Sequence, residues 1–111
     1  MSLADNIASE YNAKGRIAID VPEWEKWMDD GRVYYKPFTV QERSKLVPEM
    51  EGKGLDFVVS AIVMKCEDKD GNKLFTLADK PKLKRFCEYD VLDRVAGKML
   101  RSVGDEELGE P

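Results

Sequence analysis

Histidine is missing altogether from the 111 residues, which removes the side chain most often used as a general base and as a metal ligand. Only two cysteines occur, Cys66 and Cys87. That is too few for a disulfide-stapled secreted domain, and two separated cysteines without histidine make no zinc site. They read as reduced, half-buried thiols beside apolar residues. The longest apolar run, around Leu55 to Met64, falls short of the roughly 18–20 residues a membrane span needs. No basic stretch followed by an apolar one opens the chain, so no signal peptide is expected. A glycine-rich phosphate loop is also missing, because Gly52-Lys53-Gly54 lacks the flanking strand and helix. In Asp68-Lys69-Asp70-Gly71-Asn72 the glycine stands fourth, where a calcium loop of the EF-hand type needs it sixth. The expectation is a cytoplasmic protein with no catalytic residues, no metal and no cofactor.

What is present is charge and a core's worth of apolar residues. Acids outnumber bases, 22 to 18, for a net charge of −4, which opposes non-specific nucleic-acid binding and favours solubility. The length suits one domain with one core. Ser2 and Asp5 resemble a helix start, and Leu3, Ile7 and Tyr11 then share a face until Gly15. Ile17, Ile19 and Val21 alternate with polar neighbours as a half-buried strand does, and Arg32 to Lys36 form a second β-rich run ended by Pro37. The two predict an antiparallel hairpin whose connection, Pro22 to Met28, projects as a loop.

Thr39-Val40-Gln41-Glu42 is a capping box. The helix it opens carries Val40, Val47 and Met50 near one face, and Pro48 should kink or stop it near Val47. Leu55 to Cys66 reads as a buried central helix, on length rather than on its β-branched content. Thr76 or Asp79 caps the next helix, with Pro81 in its first turn and Leu83, Phe86 and Cys87 on its inner face. Asp90 caps the last, where Leu92, Val95, Ala96, Met99, Leu100 and Val103 make one stripe ended by Gly104. The sum is a small α+β domain over 1–104, one β-hairpin packed against about four α-helices. Residues 1–15 form an N-terminal helix or arm, and 105–111 an acidic flexible tail.

Two surface features stand out. Lys80, Lys82, Lys84 and Arg85 are the densest basic cluster, which suits either an anion contact or a solvated helix face. Trp24 and Trp27 lie three apart with Met28 beside them, residue types that supply contact area at interfaces and in cores alike. With Tyr34 on the neighbouring strand they are the candidate protein-binding surface.

The order of signals resembles a known family. Asp20-Val21-Pro22-Glu23-Trp24 leads to Val33-Tyr34-Tyr35-Lys36-Pro37, then to the capped Thr39-Val40-Gln41-Glu42-Arg43 helix. An apolar helix follows, then the turn Asp70-Gly71-Asn72-Lys73-Leu74-Phe75 and the pattern Val91-Leu92-Asp93-Arg94-Val95-Ala96. Over roughly residues 17 to 103 this is similar to the tail assembly chaperones of long, non-contractile-tailed bacteriophages and prophages. The stretch Glu25 to Asp30 and the proline at position 48 depart from the expected pattern.

The resemblance implies a non-catalytic chaperone that binds and solubilises the tape measure protein during tail morphogenesis. Self-association is expected with it, the tail tube protein is a further candidate partner, and neither a membrane nor nucleic acid is an expected one. The alternatives are a structural neck or tail-completion protein of a virion, or a small nucleic-acid-binding regulator using the Lys80–Arg85 cluster.

Overall fold

The computed structural model describes residues 2–52 and 55–108, and side chains within 2–52 and 55–100. Two strands, β1 (Ile17–Asp20) and β2 (Arg32–Tyr35), form the hairpin. They pair antiparallel with Ile17 opposite Tyr35 and Asp20 opposite Arg32. The alternation puts Ile19, Val33 and Tyr35 into the core, followed by Val21, while Ile17 stays partly exposed at the strand's start. Glu67 adds isolated bridges to Tyr34 and Lys73.

Five α-helices accompany the hairpin: α1 (Leu3–Ala13), α2 (Val40–Met50), α3 (Asp56–Lys65), α4 (Lys80–Phe86) and α5 (Tyr89–Leu108). The α+β reading holds, with five α-helices among the described residues where about four were expected. Ser2 with Asp5, and Thr39 with Glu42, make reciprocal capping boxes on α1 and α2, satisfying backbone donors that the first turn leaves free. Leu55 to Cys66 is indeed helical at its centre, as α3. Six of α3's ten residues are buried, and it packs against α2, α4 and α5, the environment that a helix apolar on all sides requires. From α5 come Val91, Leu92, Val95, Ala96 and Met99, which pack with α3 and share one buried cluster with the hairpin's Ile19, Val21, Val33 and Tyr35.

Several local expectations need correcting. Pro48 neither stops α2 nor ends it at Val47, because the helix runs to Met50. The carbonyl that loses its helix bond to Pro48 is that of Ser44, an exposed residue, so solvent has access to it. The buried face of α2 is not that of Val40, Val47 and Met50, which are all exposed, but that of Leu46. Asp90 does not cap α5, since the helix already includes Tyr89 and Asp90 lies in its first turn. Nor does Gly104 end it, for α5 continues to Leu108. The tail expected over 105–111 is therefore helical as far as Leu108, and 109–111 lie outside the described residues.

Burial of α1 is slight. None of its residues is buried, and Leu3 and Ile7 are 73% and 60% exposed. Its attachment runs through Tyr11. The Tyr11 hydroxyl donates to the Pro37 carbonyl at 2.8 Å, and the Lys36 ammonium donates to the Tyr11 and Asn12 carbonyls at 3.3 and 3.1 Å.

A charged side chain sits inside this end of the fold. Lys65, at 6% exposure, closes α3 and donates to Glu42 Oε1 at 2.7 Å and to the Tyr11 hydroxyl at 3.3 Å. Its ammonium also lies 5.5 Å from the centre of the Phe38 ring. A buried ammonium with these partners is compensated; alone it would cost several kcal/mol, of order 3–5. Burial opposes ionisation of Glu42, but the hydrogen bonds from Lys65 and the Thr39 amide outweigh it and hold the carboxyl below its ordinary value.

Candidate protein-binding groove

The hairpin connection is a folded element. Pro22–Trp27 form a 3-10 helix, started by the fixed backbone angle of Pro22. It returns to β2 through Gly31, whose φ of +67° belongs to the left-handed region, favoured by glycine because a side chain there is strained. Gly31 also receives Val21, whose N–H donates to its carbonyl at 2.8 Å. The tip therefore does not project as a free loop. It folds back, so that Trp24 meets Phe75 edge-to-face with ring centres 5.9 Å apart, and Trp24 and Met28 pack on the core.

A further turn brings α4 opposite. Thr76 and Asp79 form a capping box over the short 3-10 turn Leu77–Asp79, and α4 begins at Lys80 with Pro81 in its first turn. Between this helix and the 3-10 helix of the hairpin lies an open, mostly apolar groove of about 720 Å³. Its floor is Phe75, Leu83, Cys87 and Val91, and Trp24 and Met28 form one wall. Trp27 and Phe86 stand at its lips, 71% and 76% exposed. Phe86 was expected on the inner face of α4 with Leu83 and Cys87. Those two do pack on the core, but Phe86 does not.

Of the four residues singled out from the sequence, the structure thus brings Trp24, Trp27 and Met28 to one groove and leaves Tyr34 out of it. Tyr34 is half-buried on the hairpin's other face. Its hydroxyl donates to Asp30 at 2.6 Å, and the Arg16 guanidinium covers its ring at 5.0 Å. Arg16 in turn bonds Glu67 and the carbonyls of Asp68 and Lys69. Tyr34 is a member of that polar clamp. The groove residues that sequence reading missed, Phe75 and Val91 above all, come from separate segments, and no spacing along the chain marks them.

Charge around the groove is organised. Arg94 reaches from α5 to both carboxylate oxygens of Glu23 and holds that carboxyl below its ordinary range. Half of the basic cluster is engaged: Lys84 pairs with Asp56 at 2.7 Å and Lys80 with Glu49 at 3.7 Å. That weakens any reading of the cluster as one anion site. The Asp68–Asn72 turn is also closed on itself, with Asp68 accepting from the Asp70 and Asn72 amides at 2.9 Å.

Among the described residues, no group of three or more cysteines and carboxylates is placed to hold a metal ion, and no helix is long and apolar enough to cross a membrane. Both thiols are free. Burial pushes Cys66 up to about 12, and burial also raises Cys87 at the groove floor, so each stays a thiol at neutral pH. Compared with known proteins, the chain gives no significant match to a protein family, a curated protein or a solved structure.

Proposed function

We propose that this domain is a non-catalytic binding module whose groove shelters an apolar, helical segment of another protein. On the resemblance described above, we assign it as a tail assembly chaperone acting on the tape measure protein. The observation that carries this reading is the pair Trp27 and Phe86, two large aromatic side chains left mostly in solvent on the rims of an apolar trough. Exposing them costs the free monomer favourable burial, and clustered exposed aromatics of this kind mark contact sites.

A trough lined by tryptophan, methionine and phenylalanine accepts varied aliphatic faces, because recognition rests on shape and apolar area more than on directed bonds. A chaperone that later releases its client needs contacts of that sort, each weak and repeated along the client. The net charge of −4 keeps such a complex dispersed.

The test is the double variant Trp27→Ala with Phe86→Ala. It should fold normally and lose co-purification of the tape measure protein by roughly tenfold or more, the usual effect of removing two aromatic anchors. Undiminished co-purification would remove the groove from the interface. Detection of the protein as a component of finished tails would favour the structural alternative.

A further inference from the structure

The two edges of the hairpin are finished differently. Tyr34 of β2 exchanges both of its backbone bonds with Glu67, its N–H donating at 2.9 Å and its carbonyl accepting at 2.8 Å. The outer edge of β2 is therefore covered. That also fixes the alternation along β1. In an antiparallel pair, facing residues bond one another only at every second position. Tyr34 faces Ala18 and directs its bonds outward, so Ala18 does the same, as do Arg16 and Asp20 two residues to either side. The backbone N–H and carbonyl groups of Ala18 and Asp20 have no hydrogen-bond partner among the described residues. Ile17, Ala18 and Asp20 are exposed, so this edge is accessible. Within β1 there is no proline, and its register runs without a bulge; both are devices that spoil an open edge.

We propose that this edge is a self-recognition surface, on which β1 of a second copy lies antiparallel about a two-fold axis at Ala18. The sequence along the edge is Arg16-Ile17-Ala18-Ile19-Asp20, apolar and symmetric about its centre, with opposite charges at its ends. Placing the two Ala18 residues opposite one another sets each Arg16 against the other copy's Asp20, and each Ile17 against the other copy's Ile19. The outward backbone groups of all three edge residues then pair. Parallel pairing in register would set arginine on arginine and aspartate on aspartate, which is unfavourable, so the charges choose the direction. Both are already bonded within their own chain, Arg16 to Glu67 and Asp20 to Arg32. The new pairs therefore add little affinity and act mainly on register. Ile17, 39% exposed, gains an apolar neighbour on the core face. Because Glu67 covers the other edge, the assembly closes as one four-stranded sheet of two copies and does not continue into a fibre. The inference does not depend on what the groove holds.

So short a seam lies well below the roughly 800 Å² per partner of a standard interface. Each copy also carries a net charge of −4, which opposes association. The dimer should therefore be weak, with a Kd of about 100 µM. Sedimentation velocity of the full chain tests it from about 10 µM to about 1 mM, a tenfold span on either side of that value. Amide hydrogen exchange over the same range locates the seam. Exchange at Ala18 and Asp20 should slow as concentration rises, whereas exchange at Ile17 and Ile19, which bond to β2, should not change. Ala18→Pro removes the central N–H of the seam, a group that its own hairpin does not use, and should abolish the dimer. Asp20→Lys sets lysine against Arg16 at both ends and should weaken association by about tenfold. Asp20 is exposed, so this second variant should fold even if the proline does not, which circular dichroism checks. Trp27→Ala with Phe86→Ala should leave the dimer unchanged.

A monomer throughout that range overturns the proposal. So does a dimer in which exchange at Ala18 and Asp20 is independent of concentration, or one that Asp20→Lys leaves intact. Loss of the dimer in the Trp27→Ala and Phe86→Ala variant would give the contact to the groove and overturn the assignment to β1. Growth beyond two copies as concentration rises contradicts the closed two-fold pairing.

Discussion

The two ends of the hairpin are finished in opposite ways. At the open end, where Ile17 pairs with Tyr35, polar bonds match a buried charge, although Leu3, Ile7 and Ile17 stay exposed nearby. Lys65 is buried there, yet Glu42 and the Tyr11 hydroxyl satisfy it, and Tyr11 ties α1 down through the Pro37 carbonyl. At the closed end, where Asp20 pairs with Arg32, apolar side chains meet without covering one another. Trp27 and Phe86 remain in water, and Lys26 and Arg85 beside them form no ion pair among the described residues. Burial with every polar group matched describes a region that serves the fold. Apolar area left open beside unmatched charge describes a region that lacks its partner. The same chain contains both, separated by four-residue strands.

Breaking the closed-off end should have the largest effect on stability. Glu42→Ala removes the carboxylate that faces the Lys65 ammonium and also the N3 half of the α2 capping box. The ammonium would stay buried with only neutral acceptors, at a cost of about 3 kcal/mol. Urea unfolding measures it as a lower midpoint with an unchanged slope. A loss under about 1 kcal/mol would mean that Lys65 reaches water once Glu42 is gone, and the contrast between the two ends would lose its energetic half.

The next effect lies within the groove itself and divides two neighbouring tryptophans. Trp24 packs on Phe75 and the core, whereas Trp27 does not. Trp24→Ala should destabilise by about 2 kcal/mol, less than for a fully buried ring because Trp24 is only partly enclosed. Trp27→Ala should stay within about 0.5 kcal/mol, as exposed substitutions do. For binding, both should weaken the complex, so Trp27 is the cleaner probe of the interface. Equal stability losses for the two variants would place Trp27 in the core and would empty the groove reading.

That division could not be read from the chain, where Trp24 and Trp27 differ only by three positions. The hairpin, the capping boxes of Ser2 and Thr39 and the apolar stripe of α5 as far as Met99 were legible from local spacing, and the buried α3 from the length of its apolar run, while the Val103 side chain lies outside the described residues. The inner face of α2 was not. It runs through Glu42, Leu46 and Glu49, two carboxylates around one leucine, and hydrophobic patterning passes over it. The carboxylates point inward because Lys65 and Ser60 of α3 bond them, information held in another helix. The groove was legible only in part for a similar reason. Trp24, Trp27 and Met28 advertise themselves by residue type, but Phe75, Leu83, Phe86 and Val91 join them only after α4 has turned back over the hairpin. Tyr34 carries the same aromatic signal and ends elsewhere, because alternation along β2 sends it to the opposite face from Val33 and Tyr35.

The smallest effect is one of pH, and it refines the contrast at the open end. The Glu42 carboxyl is held below its ordinary value of 4.5 in the folded chain. A depressed carboxyl stabilises the fold fully above the unfolded value, and that stabilisation disappears as the pH falls through the lower, folded value. Glu42→Gln removes the titration while keeping the shape. The stability gap between the unaltered chain and this variant should therefore be constant from neutral pH down to about 5 and should narrow below 4.5. Unfolding midpoints measured across that range check the sign. Glu23, Asp30, Asp56 and Asp68 are also depressed, so both proteins should weaken in acid, and only the difference between them reports on Glu42. A gap that widened on acidification would mean that the carboxyl is harder to ionise in the fold than out of it. Burial would then dominate at Glu42, and the Lys65 end would be no better satisfied than the groove.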